Sequence, residues 1–272
     1  MILVTGAYGF IGSQFVRYLN SIGVTNIIVS DYLTNGKQFK NLDGCEYQAF
    51  VEPERIVKWI AAKVVDYVFH FGAISDTTCW DGELVMKRNY HFTTDLIMNC
   101  EQYSVPISYS SSASVYGNGD GPLNLYAYSK HLVDKYVDGI KDSQQIQGFR
   151  YFNVYGWEDE EWHKGNQASP FYKFKQQALE TGRIEIFKGS ENFKRDFIEV
   201  IQVCRIQWMM SKREVSGIFD LGTGSQKSFV EVAEEVQERF GGDIVEIPFP
   251  KHLKGHYQTN TRADMDYLRQ LP

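Results

Sequence analysis

The apolar positions of this chain follow two rhythms that alternate. Short unbroken runs, such as Ile2-Leu3-Val4, Ile27-Ile28-Val29 and the stretch 64–70, have the length of a strand and little polar alternation. A strand apolar on both faces belongs inside a parallel sheet covered by helices. Between these runs apolar residues recur at three- and four-residue spacing, as at Phe15, Val16 and Leu19, then over 56–62 and 86–103. That spacing predicts amphipathic helices. Further strands are expected at 106–109 and 148–153 and at 184–187. Helices are expected near 171–179, 201–210 and 228–240. Strand and helix in alternation predict a doubly wound α/β sheet.

The turns between these elements carry the candidate chemistry. The first strand runs into Gly6-Ala-Tyr-Gly9-Phe-Ile-Gly12 and then a helix. Gly6 permits a tight turn, Gly9 a close approach of backbone to a pyrophosphate, and Gly12 close helix–strand packing. The helix N-terminus offers amides and positive dipole to phosphate. The second strand ends at Asp31, about 20 residues on, where a carboxylate holds the adenosine ribose of a dinucleotide. Lys37 follows in the next loop. The small-residue stretch 71–75 and the serine-rich loop 110–117 each follow a strand, at the sheet edge where ligands bind. His70, at a strand end, reads as a packed core histidine. Tyr126 and Lys130 lie four residues apart and share one helix face. An ammonium beside the phenol would lower its pKa and make Tyr126 a proton-transfer group.

Composition narrows the class. A chain of 272 residues, 43% hydrophobic and 23% charged, holds one large α/β domain or a large domain with a lobe. A net charge of -6 argues against a nucleic-acid surface, so any phosphate site is local. The four scattered cysteines predict reduced thiols and no metal site. Met1 leads straight into a strand and no apolar run has membrane-spanning length, so a cytoplasmic protein without membrane attachment is expected.

In the second half, the polar loop 156–170 carries Glu158, Asp159, Glu160, Glu161, His163 and Lys164 and reads as solvated. Lys194 and Arg195 follow Gly189 and Ser190; a guanidinium beside a lysine on an acidic chain suggests a diphosphate clamp.

Together the glycine triplet, Asp31, the serine stretch and Tyr126-x-x-x-Lys130 resemble the extended short-chain dehydrogenase/reductase family. The resemblance implies a Rossmann fold and a nicotinamide cofactor. It implies that Ser112 hydrogen-bonds the reacting oxygen, Tyr126 transfers a proton, and Lys130 binds the nicotinamide ribose. It further implies cofactor contacts at Phe10, Ile11, Tyr32, Lys37, Phe71, Gly72, Ala73, Ile74, Ser75, Arg88, Val154 and Lys164. The blocks 148–156, 163–165, 189–197, 216–224 and 247–258 are similar to the heptose-epimerase branch of that family, whose members invert C6 of an ADP-linked heptose. On this resemblance Lys164 is a second base, serving the other face of the sugar carbon. Ser112, Asn153, Asn166, Lys173, Phe187, Lys188, Gly189, Ser190, Arg195 and Tyr257 contact the nucleotide sugar. NADP is the implied cofactor, with NAD the alternative, and the family suggests a homo-oligomer. The expected division is a dinucleotide domain over 1–165, rejoined by 197–222, and a small α/β substrate lobe from 166–196 and 223–272.

Departures from the pattern stand beside the match. Gln38 and Pro53 replace lysines of NADP-preferring members, Arg88 replaces an asparagine, and a further strand–helix segment is expected beyond Pro272. The rivals are a nucleotide-sugar 4,6-dehydratase and a non-catalytic nucleotide-binding protein. A dehydratase needs an Asp-Glu pair after the loop serine, where this chain has Ala113-Ser114. The set Ser112, Tyr126, Lys130 and Lys164 opposes a non-catalytic role.

Overall fold

The structure is a computed structural model and describes residues 1–140, 144–250 and 260–270. Its centre is a seven-stranded, all-parallel sheet in the order β10-β6-β5-β4-β1-β2-β3. The strands are β1 (Ile2–Thr5), β2 (Ile27–Ser30), β3 (Ala49–Phe50), β4 (Tyr67–His70), β5 (Ile107–Ser112), β6 (Ile146–Tyr151) and β10 (Gly217–Leu221). The expected doubly wound architecture is present. Successive residues of each strand enter opposite cores. Leu3, Ile28, Val68 and Ile107 pack in one cluster; Val4, Ile27, Val29 and Phe69 pack in the other. This is why the central strands read as unbroken apolar runs. Helix α1 (Phe10–Ser21) and helix α7 (Val200–Ser211) cover the second face. On the first lie α2 (Ile56–Ala61), α4 (Phe92–Gln102) and α5 (Leu125–Asp138).

A second layer is built from shorter pieces. β7 (Asn153–Tyr155) pairs parallel with β9 (Lys194–Glu199), and β11 (Gln226–Ser228) pairs antiparallel with β9. β8 (Arg183–Phe187) pairs with β12 (Asp243–Ile247). Helices α6 (Pro170–Thr181) and α8 (Phe229–Phe240) pack on these strands through Phe171, Phe174, Val232 and Val236. A short helix α9 (Asp266–Arg269) follows the segment from Asn260. The buried Asp196 carboxylate ties this layer together. It accepts hydrogen bonds from Thr223 N and Oγ1 (2.8 and 2.7 Å), Gly224 N (2.8 Å) and Ala263 N (3.1 Å).

Several expectations change in detail. The strand expected over 64–70 starts at Tyr67, not Val64, because Val64 and Asp66 are engaged by the Met1 terminus. Ser110, Ser111 and Ser112 are not loop residues: they complete β5, in register with Phe149, Arg150 and Tyr151 of β6. The strand expected to reach Asn153 breaks after Tyr151, and Asn153 opens β7 in the other layer. The helix expected over 86–103 begins at α3 (Gly82–Val85), with the Asp81 carboxylate capping Leu84 N at 3.0 Å. It passes through a π-helical turn, Met86–His91, before α4. Such turns insert one residue and redirect side chains, often at functional sites.

Candidate active site

The carboxyl ends of β1, β4 and β5 open onto a cavity of about 610 Å³. Its floor is the glycine turn. Gly6 has φ +66, and a Cβ there would lie 2.4 Å from Gly72 N. A Cβ on Gly12 would lie 2.1 Å from Gly6 O, so the helix can sit this close only with glycine. At Gly9 the nearest heavy atom to such a Cβ is Gly6 O at 3.2 Å, so its remaining surroundings stay open for a ligand. Phe10, Ile11 and the 71–75 loop line the same space, as does Val154. Buried Asn89, in the π-helical turn, holds that loop. It accepts from Ile74 N (2.8 Å) and donates to Ile74 O (2.9 Å) and Ser129 Oγ (3.0 Å).

Asp31 stands at one end of the cavity. Its carboxylate accepts from Tyr8 N (2.9 Å) and Tyr32 N (2.7 Å), and burial raises its pKa above the ordinary value. Thr34 and Gln38 line this end, while Lys37 is exposed. The Arg88 guanidinium stacks 3.1 Å over the Tyr32 ring. The hydroxyl of Ser111 is buried, lines the cavity and makes no hydrogen bond among the described residues. A long cavity with a glycine turn at a helix N-terminus, a held carboxylate at one end and an orphan hydroxyl in its wall fits a dinucleotide.

At the other end Tyr126 lies against Ser112, hydrogen-bonded to it. Lys130 is fully buried and donates to Ser110 O at 2.6 Å. Burial pushes its ammonium down to about 8, and Asp134 pushes it up. The depression expected at Tyr126 is reversed in this structure. Burial raises the phenol, Ser112 lowers it and Asp134 raises it. Lys130 is turned toward the Ser110 carbonyl instead. Asp134 itself is held by Tyr109 (3.0 Å) and Arg150 (2.8 Å). His70 is the core histidine the sequence predicts, bonded to Thr5 and Thr93 and pushed by burial to about 3.

Lys164 also lines this cavity, with its ammonium 5.0 Å over the Phe10 ring. Its neighbour Glu161, expected as a solvated loop acid, is fully buried and lies 3.4 Å from Nζ. The loop is pinned at its other side by Asn41, which accepts from Trp162 Nε1 (2.7 Å), contacts His163 Nδ1 (3.2 Å) and donates to Tyr8 O (2.7 Å).

A second cavity of about 600 Å³ opens beside the first and shares Asn153, Gln167, Ala168 and Pro170 with it. Asn166, Lys173, Phe187, Ser190 and Arg195, which the resemblance assigns to the nucleotide sugar, line it. Lys173 Nζ donates to Asn166 O (2.7 Å); burial and then Lys164 lower its pKa. The expected Lys194–Arg195 clamp divides, because strand neighbours point to opposite faces. Arg195 is buried and faces the cavity under Phe229, while Lys194 is exposed. Lys188 is exposed as well, and Gly189 takes the left-handed turn (φ +89) that starts the Ser190 turn. Tyr257 lies outside the described residues. Asn89, Asn41, Glu161 and Asp196 were not singled out by the sequence. Only Glu161, three residues before Lys164, left a spacing signal.

A parallel doubly wound sheet with this cavity and its Ser–Tyr–Lys group defines a dehydrogenase-type site for a nicotinamide dinucleotide. Residues 2–222 match the model of the NAD dependent epimerase/dehydratase family, and the chain belongs to that family. It is 41% identical to an ADP-L-glycero-D-manno-heptose-6-epimerase of Alkalilimnicola ehrlichii, over 99% of this chain and 90% of that protein. The crystal structure of the Helicobacter pylori ADP-L-glycero-D-manno-heptose-6-epimerase superposes with a TM-score of 0.83 at 28% identity, covering 91% of this chain and 84% of that one. A UDP-glucose 4-epimerase of Thermotoga maritima, at 24% identity, shares the fold with a TM-score of 0.82 over 98% of this chain and 91% of its own.

Proposed function

We propose that this protein inverts C6 of an ADP-linked D-glycero-D-manno-heptose to the L-glycero form, by transient oxidation and re-reduction of that carbon. One observation carries the reading: two proton-handling side chains from different walls reach one cavity. Tyr126 stands against Ser112 at the end of β5, and Lys164 stands over Phe10 next to β1. Tyr126 comes from helix α5 and Lys164 from the 156–170 loop, so the two groups enter the cavity from different segments. Inversion through a planar ketone returns the hydride to the opposite face once the carbonyl has turned, and an acid/base group on each side would serve the C6 oxygen in both orientations. A nicotinamide held by the glycine turn, Asp31 and Lys130 would supply the hydride chemistry at C6, inversion following when the ketone turns its other face to the ring. Ser112 orients the C6 oxygen. Tyr126 takes its proton on one face, and Lys164 handles the proton on the other. Lys130, on the same helix as Tyr126, would hold the cofactor ribose. Lys173 and Arg195 hold the diphosphate, and Phe187 and Phe193, both packed on Phe249, offer a stacking wall to the base.

The resemblance favours NADP, with the exposed Lys37 as the cation for a 2′-phosphate, while the Asp31 carboxylate would repel that phosphate and favours NAD. Extraction of the purified protein is expected to release NADP; release of NAD alone would overturn that choice. The function is tested by incubating the protein with each C6 epimer of ADP-heptose, no cofactor added, and following C6 by NMR. Interconversion is expected. Absence of any change with a full complement of bound cofactor would refute the reading.

A further inference from the structure

Glu161 is a carboxylate with no solvent exposure in a loop that carries three other acids at its surface or edge. Burying an ionised carboxylate is costly unless its oxygens are paired and hydrogen-bonded. Here they are. Oε1 accepts from Ser169 Oγ (2.6 Å) and Gly156 N (3.3 Å). Oε2 accepts from Ser169 N (2.7 Å) and lies 3.4 Å from Lys164 Nζ. Ser169 in turn caps α6, accepting from Tyr172 N at 3.2 Å, and α6 carries Lys173. The carboxylate therefore joins three things: the start of the loop at Gly156, the ammonium that enters the cofactor cavity, and the helix that lines the substrate cavity.

We propose that Glu161 is a positioning residue for the reaction, fixing the Lys164 ammonium over Phe10 and registering it against the N-terminus of α6. The proposal rests on the assignment of Lys164 as the second base. Without the carboxylate, Nζ loses the only anion whose distance to it is defined among the described residues, and the lysine stem is free to leave the reacting carbon. Displacing a reactive group by about 1 Å costs on the order of 100-fold in rate. Glu161 lines neither cavity and Ser169 still caps α6 in Glu161→Gln, so the contacts of Lys173 and Arg195 with the nucleotide sugar are expected to persist.

The test is steady-state inversion of ADP-heptose by the holoprotein, comparing the parent with Glu161→Gln, Glu161→Asp and Lys164→Met, with bound cofactor measured for each. Glu161→Gln keeps size and one acceptor. Its kcat is expected to fall roughly 10- to 100-fold with KM within about 3-fold and cofactor content unchanged. A kcat within about 3-fold of the parent, or a loss carried entirely by KM, overturns the proposal. If Glu161→Gln fails to fold or loses cofactor, Glu161→Asp decides. It keeps the charge but withdraws it by about 1.5 Å. A fall in kcat of roughly 3- to 10-fold at constant KM is expected, and parental kcat overturns the idea. Lys164→Met separates the two levels. If it retains parental kcat, the assignment of the second base fails. If it loses activity while the Glu161 variants do not, only the positioning role fails.

Discussion

Lys130 carries a buried charge whose cost to stability is measurable through pH. Its ammonium is 1% exposed and titrates at about 8, against an ordinary value of 10.5. Burial is the main cause, partly offset by Asp134. A lysine whose folded-state pKa is depressed binds its proton less readily in the native state than in the unfolded chain. Below pH 8 both states are protonated, and the native state bears the full cost of the buried charge. Between pH 8 and 10.5 the native state sheds the proton first, so stability contributed by this group rises with pH. At about 1.4 kcal/mol per unit, the full cost is about 3 kcal/mol, and most of it is relieved by pH 10. Lys130→Met removes the charge but also the 2.6 Å bond to Ser110 O, worth about 1.5–3 kcal/mol when the donor is charged. Proton linkage fixes how this difference changes with pH: the stability of the parent relative to the variant should rise by about 2–3 kcal/mol between pH 7 and pH 10. The assay is urea unfolding of cofactor-free parent and variant at pH 7, 8, 9 and 10. A stability difference that stays constant across that range would refute the reasoning, since no proton would then be linked to folding at this site.

Other outcomes follow from the same geometry. Tyr126→Phe removes the phenol to which the proposed mechanism gives the proton transfer and leaves the cavity lining, so turnover should fall at least 100-fold while bound cofactor is retained; near-parental turnover would remove Tyr126 from the mechanism. Gly12→Ala forces a Cβ to within 2.1 Å of Gly6 O, and the backbone has to yield. Thermal unfolding should report a loss of about 1–3 kcal/mol together with weakened cofactor retention. Asp196→Asn replaces two acceptors by one in a buried site with four donors, and denaturant unfolding should show a loss of about 2–4 kcal/mol without a direct effect on any cavity contact.

Much of the site could be read along the chain. The glycine turn, Asp31, and the Tyr126–Lys130 pair each depend on backbone geometry over a few residues, and such local patterns survive in sequence. The doubly wound sheet was legible for a related reason: strands apolar on both faces have no other stable home. Lys164 was found only through resemblance to a family, because a lysine in a polar loop carries no local signal.

What the sequence by itself determined was therefore the class: alternating parallel strands and helices, a dinucleotide turn, and a phenol and ammonium on one helix face. What the tertiary structure decided was which charges are buried and where they point. Glu161 looks like its neighbours Glu158 and Asp159 in sequence, yet it is the one sealed against Ser169 and Lys164. Arg195 and Lys194 look like a pair, yet strand pleating sends them to opposite faces. Lys130 looks like a partner for Tyr126, yet it is aimed at Ser110 O and the phenol is raised. The physical reason is common to all three. Desolvation and hydrogen-bond partners come from residues tens of positions away, and no local pattern encodes how those segments pack.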